Sequence, residues 1–179
     1  MEGGASVVQL RDKGASDAVL IRTAKRLLKL TRPKRVPLII NDRLRVAKLS
    51  GADGVHLGQE DAGLEEARAL LGKSALIGRS THSEAQALEA EKEGFDYIGV
   101  GPVFKTPTKP AYRAVGLPLV RFAAKNIRIP FVAIGGIDGK NIRSVTRAGA
   151  KTVAVVRAVM ASPDPKKTSA DLSKKMRAK

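Results

Sequence analysis

Cysteine is absent from this 179-residue chain. That excludes disulfides, thiolate nucleophiles and cysteine-ligated zinc. Tryptophan is absent too, and aromatic residues make up only 3% of the chain. A platform for stacking nucleobases is therefore poorly supplied. No apolar run approaches the ~20 residues that span a bilayer, and no secretory leader pattern opens the chain. A soluble, cytoplasmic protein is the expectation. Acid is scarce beside base: 17 Asp and Glu face 33 Lys and Arg, a formal charge of +16. Such an excess favours anionic partners, whether nucleic acid, an acidic membrane surface or phosphorylated small molecules. Part of it crowds into the tail, at Lys166, Lys167, Lys174, Lys175, Arg177 and Lys179, which reads as a solvated helix.

What the chain does have is rhythm. Short runs rich in Val and Ile recur at residues 6–10, 36–40, 55–57, 75–78, 95–98, 130–134 and 152–156. Between them lie segments with helical spacing of apolar residues, three of them ended by Gly72, Gly94 and Gly149. Seven strand–helix units, each of about 20–30 residues, imply a parallel sheet with helices outside it. Apolar strands of this kind suit a sheet buried on both faces. No linker divides the chain. One domain over residues 1–165 is expected, followed by a basic helix or tail over 166–179.

In parallel α/β folds, ligands bind at the carboxyl ends of the strands. Here those ends carry Arg11 and Lys13, then Asn41 and Asp42, then Gln59, Glu60 and Asp61. Arg79, Ser80, Thr81 and His82 come next, followed by the loop of residues 99–109, then Gly135 and Gly136, and finally Arg157. The loop of residues 99–109 is made irregular by two glycines and two prolines. It offers the hydroxyls of Thr106 and Thr108 and the ammonium groups of Lys105 and Lys109, a set suited to a phosphate or pyrophosphate oxyanion. Asp42 and Asp61 end consecutive strands. Together they could hold Mg²⁺, which takes one or two carboxylates and completes its shell with water and phosphate. The lesser alternative is that each caps the helix that follows. The Gly135-Gly136 pair lets backbone N–H groups approach a phosphate. His82 could move a proton, whereas His56, inside an apolar strand, reads as a packed core residue.

These motifs together resemble the thiamine-phosphate synthase family. They are Gln9-Leu10-Arg11-Asp12-Lys13, Asn41-Asp42, His56-Leu57-Gly58-Gln59-Glu60-Asp61, Ser80-Thr81-His82, residues 101–109, Gly116-Leu117 and residues 133–137. The resemblance runs from about Gly3 to Pro165. It implies a TIM-type (β/α) barrel and a transferase of thiamine biosynthesis. Hydroxymethylpyrimidine diphosphate would be condensed with thiazole phosphate, releasing pyrophosphate with the help of Mg²⁺. Carried over by motif, Gln9, Arg11, Lys13, Asn41, Ser80 and Lys109 would bind the pyrimidine diphosphate. Of these, Arg11, Lys13, Ser80 and Lys109 would be catalytic. Thr106, Thr108, Gly136, Val156 and Arg157 would hold the thiazole phosphate, and Asp42 and Asp61 would hold Mg²⁺. The partners implied are phosphorylated small molecules rather than a specific nucleic acid or a membrane, with self-association left open.

Two departures from the family pattern stand out. The first strand of the barrel is missing, leaving seven where closure wants eight, so an N-terminally truncated member is expected. A small residue, often Ser, usually stands where this chain has Arg157, whose bulk is expected to weaken thiazole phosphate binding. Two other functions compete. A related thiazole tautomerase would use His82, and a truncated barrel could bind phosphate without catalysis. Sequence-indifferent nucleic-acid binding, driven by charge alone, is a weaker third.

Overall fold

The computed structural model describes residues 1–106 and 113–177. Strands and helices alternate almost without exception. The strands are β1 (Val8–Leu10), β2 (Leu38–Asn41), β3 (Gly54–Leu57), β4 (Leu76–Thr81), β5 (Tyr97–Val100), β6 (Phe131–Ile134) and β7 (Val153–Ala154). The helices are α1 (Asp17–Thr31), α2 (Leu44–Ser50), α3 (Leu64–Leu71), α4 (Glu84–Glu93), α5 (Gly116–Asn126), α6 (Ile142–Arg147), α7 (Arg157–Met160) and α8 (Pro165–Arg177).

The chain divides into two compact units, Ala5–Arg79 with Met1, and Ser80 onward with Glu2–Gly4. In the first, β1, β2, β3 and the start of β4 pair in parallel, with Leu10 beside Ile40, Asn41 beside His56 and Leu57 beside Arg79. Leu38, Ile39 and Ile40 are consecutive and all buried, as a strand covered on both faces requires. Helix α1 lays Leu20, Ala24 and Leu28 into that core, an i, i+4, i+8 stripe. In the second unit, β5, β6 and β7 pair in parallel, and Ile98, Val100 and Ala133 are fully buried.

Several elements depart from their sequence-based bounds: β1 and β2 each start two residues later, and β4 runs on through Arg79, Ser80 and Thr81, residues expected beyond its end. Three others move for a local reason. The fifth strand begins at Tyr97 rather than Phe95. Gly94 ends α4 in a left-handed conformation, and the Phe95 amide bonds back to the Ala90 carbonyl at 3.2 Å. Phe95 is thus the apolar residue that closes a helix terminus. The seventh strand shrinks to two residues because Val156 already has helical backbone angles and leads into α7. The last helix is longer than expected, starting at Pro165. Asp164 caps it, its carboxylate accepting from the Lys167 amide at 2.8 Å.

Candidate active site

In the first unit, the strand-end loops are held largely by side chains bonded to backbone groups. Past β1, Asp12 folds the loop by accepting from the Gly14 and Ala15 amides at 3.0 and 3.2 Å. Ser16 then caps α1. Arg43 grips the same loop. Its guanidinium donates to the Ala15 carbonyl at 2.9 Å, the Lys13 carbonyl at 3.1 Å and the Asp17 carboxylate at 2.7 Å. Gln9, Arg11 and Lys13 are all exposed. The Lys13 ammonium lies 3.8 Å from the Asp42 carboxylate, a long, solvent-screened pair.

Asn41 ends β2 and is half-buried. Asp42 follows it at φ 63 and donates its amide to the His56 carbonyl at 2.8 Å. A left-handed aspartate costs on the order of 1 kcal/mol, and such outliers gather at functional sites. It is not a helix cap, since α2 has Arg43 at its cap position with no side-chain bond. Asp61 is not one either, because α3 starts from Gly63. Instead Asp61 accepts the Gly58 amide at 2.6 Å and closes its own turn. Arg79, in β4, spans that turn by donating to the Ala62 carbonyl at 3.1 Å and the Gln59 carbonyl at 3.0 Å. His56 is only half-buried, so the expectation of a packed core histidine holds in part.

In the second unit the strand-end loops are held mainly by backbone. The Val103 amide donates to the Ile134 carbonyl at 2.8 Å, and the Phe104 amide to the Gly135 carbonyl at 3.0 Å. The loops after β5 and β6 thus continue the ladder beyond the sheet. Gly101 permits it: a Cβ there would stand 2.2 Å from the Ile134 carbonyl oxygen. Gly135 permits it again, at φ 102, where a Cβ would meet the Pro102 Cα at 2.5 Å. The Gly136 carbonyl accepts from the Asn141 amide side chain at 2.8 Å, just before α6. Ser80 is buried, and the hydroxyl of Thr81 donates to the Gly99 carbonyl at 3.0 Å. The His82 ring Nδ1 bonds the Gly101 carbonyl, and its amide donates to Gln86 at 2.7 Å. Thr106 is half-buried, while Lys105, Val156 and Arg157 are exposed. Thr108 and Lys109 lie outside the described residues.

A family model described as thiamine monophosphate synthase matches residues 1–159. The chain belongs to the thiamine monophosphate synthase family. It is 46% identical to a thiamine-phosphate synthase of Thermosynechococcus vestitus over 176 residues, 98% of this chain and 50% of that one. It is 47% identical to a thiamine-phosphate synthase of Thermus thermophilus over 177 residues, 98% of this chain and 85% of the relative. A solved thiamine phosphate pyrophosphorylase of Pyrococcus furiosus superposes with a TM-score of 0.90 at 40% identity, covering 98% of this chain and 84% of that one. The chain spans about half the length of the first three curated relatives it matches, which are covered over 50%, 49% and 49%. The fold is therefore α/β of the TIM (β/α) type, with seven strands among the described residues.

The Mg²⁺ implied by the sequence resemblance asks for hard oxygen donors. Among the described residues there is no group of three His, Cys, Asp or Glu that could hold a metal alone. Asp42 and Asp61 follow neighbouring parallel strands. Both are oxygen donors, and Mg²⁺ bound with a phosphate needs no more than one or two carboxylates. The donor chemistry fits. Sequence reasoning placed Arg79 among the strand-end residues without a specific role and did not single out Arg43, although each brackets a loop bearing an expected site residue. Arg43 stands beside Asn41-Asp42 in the sequence, and Arg79 beside Ser80 in β4. Among the described residues no helix is long and apolar enough to cross a membrane.

Proposed function

We propose that this chain carries thiamine-phosphate synthase activity, a transferase joining hydroxymethylpyrimidine diphosphate to thiazole phosphate with release of pyrophosphate. The observation that carries the reading is the family match over residues 1–159. The relatives described above bear synthase or pyrophosphorylase names, which lends nothing to a tautomerase reading of His82. Gln9, Arg11, Lys13, Asn41, Ser80 and Lys109 are assigned to the pyrimidine diphosphate. Thr106, Thr108, Gly136, Val156 and Arg157 are assigned to the thiazole phosphate, with the bulk of Arg157 weakening that contact. Asp42 and Asp61 are the residues that would hold Mg²⁺.

The chemistry asked of these residues is modest. The bond between the pyrimidine methylene carbon and the diphosphate oxygen breaks, both electrons leave with the pyrophosphate, and the thiazole nitrogen takes the carbon. Such a displacement needs fixed positive charge around the leaving group more than a strong base. Mg²⁺, when bound, supplies part of that charge neutralisation. Arg11, Lys13 and Lys109 supply the rest, and the Arg43 contacts limit the wander of the Lys13 backbone. The cytoplasm, where phosphorylated metabolites are kept, is the compartment that goes with this reading.

The test is direct. Mixed with both phosphorylated substrates and Mg²⁺, the protein yields thiamine phosphate by mass spectrometry, and excess chelator abolishes it. Metal-independent isomerisation of a thiazole substrate, without coupling, would sink the proposal in favour of the tautomerase.

A further inference from the structure

Arg79 takes no part in the reading above, yet its guanidinium donates twice to one loop. The Asp61 carboxylate accepts the Gly58 amide at 2.6 Å, and the Asp61 amide reaches the Gly58 carbonyl at a long 3.3 Å. Arg79 spans the same turn, with one terminal nitrogen 3.0 Å from the Gln59 carbonyl and the other 3.1 Å from the Ala62 carbonyl. These carbonyls lie on either side of Asp61. A guanidinium is flat, and its donors sit at fixed spacing, so it sets the distance between two acceptors as a lysine ammonium cannot. The fork projects from β4, whose Arg79 is in register with Leu57 at the end of β3. It is half-buried, so its charged hydrogen bonds are less screened than surface ones.

We propose that Arg79 is a positioning residue for the divalent metal. By clamping the carbonyls of Gln59 and Ala62 it holds the Asp61 carboxylate in one arrangement, so that metal binding does not have to order the loop. Loss of such a supporting contact to a ligand-bearing segment typically weakens metal affinity about 10–100-fold. The inference rests on the reading of Asp61 as a metal ligand, and its test separates the two.

Wild-type protein, Arg79→Met, Arg79→Lys and Asp61→Asn are each titrated with Mn²⁺ in the presence of inorganic pyrophosphate, bound metal being read by electron paramagnetic resonance. Mg²⁺ activation of coupling is measured alongside. Arg79→Met is expected to weaken Mn²⁺ binding about tenfold and to raise the Mg²⁺ needed for half-maximal rate by the same factor. The rate at saturating Mg²⁺ should change far less. Arg79→Lys, which keeps the charge and loses the fork, is expected to shift metal binding in the same direction by a smaller factor. It decides the matter if Arg79→Met fails to fold. Unchanged Mn²⁺ affinity in the folded Arg79 variants, with wild type binding better than Asp61→Asn, overturns the clamp and leaves the metal reading intact. Equal Mn²⁺ binding by wild type and Asp61→Asn removes Asp61 from the metal site and takes the clamp down with it.

Discussion

The two sets of strand-end loops are stiffened in different ways. After β1 and β3, long cationic side chains reach across and grip backbone carbonyls: Arg43 on the loop bearing Lys13, and Arg79 on the loop bearing Asp61. After β5 and β6, the two loops are tied to each other mainly backbone to backbone, with glycine where a Cβ would collide, and Asn141 adds a side-chain bond to the Gly136 carbonyl. The first arrangement spreads its stability over several partly exposed contacts, each worth well under about 1 kcal/mol once solvent screening is counted. The second concentrates it in sterics that tolerate almost no added atom. The same task, fixing a polar loop at a strand end, thus carries opposite vulnerabilities in the two units.

The largest effect should come from breaking the steric side. Gly135→Ala combines a collision with Pro102 and a backbone angle that alanine resists, and is expected to cost about 3 kcal/mol. Gly63→Ala is the control in the other unit. Nothing lies within 4 Å of a Cβ there, and the change should stay within about 0.5 kcal/mol. Urea unfolding of the two variants measures the contrast, and similar midpoints would erase it.

A middle effect probes the side-chain grip. Arg43→Met removes three hydrogen bonds from a guanidinium whose side chain is 32% exposed. With solvent screening, a loss of about 1 kcal/mol is expected. If unfolding showed a penalty as large as that of Gly135→Ala, the loops of the first unit would be no more forgiving than those of the second.

The smallest effect belongs to a contact holding no loop at all. On α8, Lys167 and Asp171 pair at 2.9 Å, fully exposed. The hydrogen bond from Lys167, followed by its charge, lowers the Asp171 pKa below 3.8 and, in return, raises that of Lys167 above 10.5. A lowered carboxyl contributes stability that is present above its unfolded value and fades as pH falls through the folded one. The lysine's share is present below its unfolded value and is lost as pH climbs through the raised one. In an NMR titration, Lys167→Met should return Asp171 towards 3.8 with little change in melting temperature. An Asp171 titration unmoved by the substitution would dismiss the pair.

The alternation of strands and helices was legible because it rests on local signals: Val- and Ile-rich runs, with Gly72 and Gly94 as helix stops. The bounds that moved did so where one residue serves two purposes. Phe95 is apolar enough for a strand, yet it closes the preceding helix. Asp42 and Asp61 were legible as polar ends, but their freedom from helix capping was not. Capping depends on backbone angles, such as the φ of 63 at Asp42, that composition does not encode. Arg43 and Arg79 were illegible as clamps for a related reason. Their acceptors are carbonyls 17 to 30 residues away, and a carbonyl has no letter in the sequence.

One contact bears on how the chain reaches this state. Gly3 lies so near α8 that a Cβ would stand 2.4 Å from the Lys166 carbonyl and 2.7 Å from the Ser169 Cβ, and Glu2 pairs with Lys166 at 3.2 Å. Glu2 and Gly3 are made roughly 160 residues before Lys166 and Ser169. This corner must wait until α8 has been made, and the loop it closes is a long one, with the entropy cost and delay such closure brings.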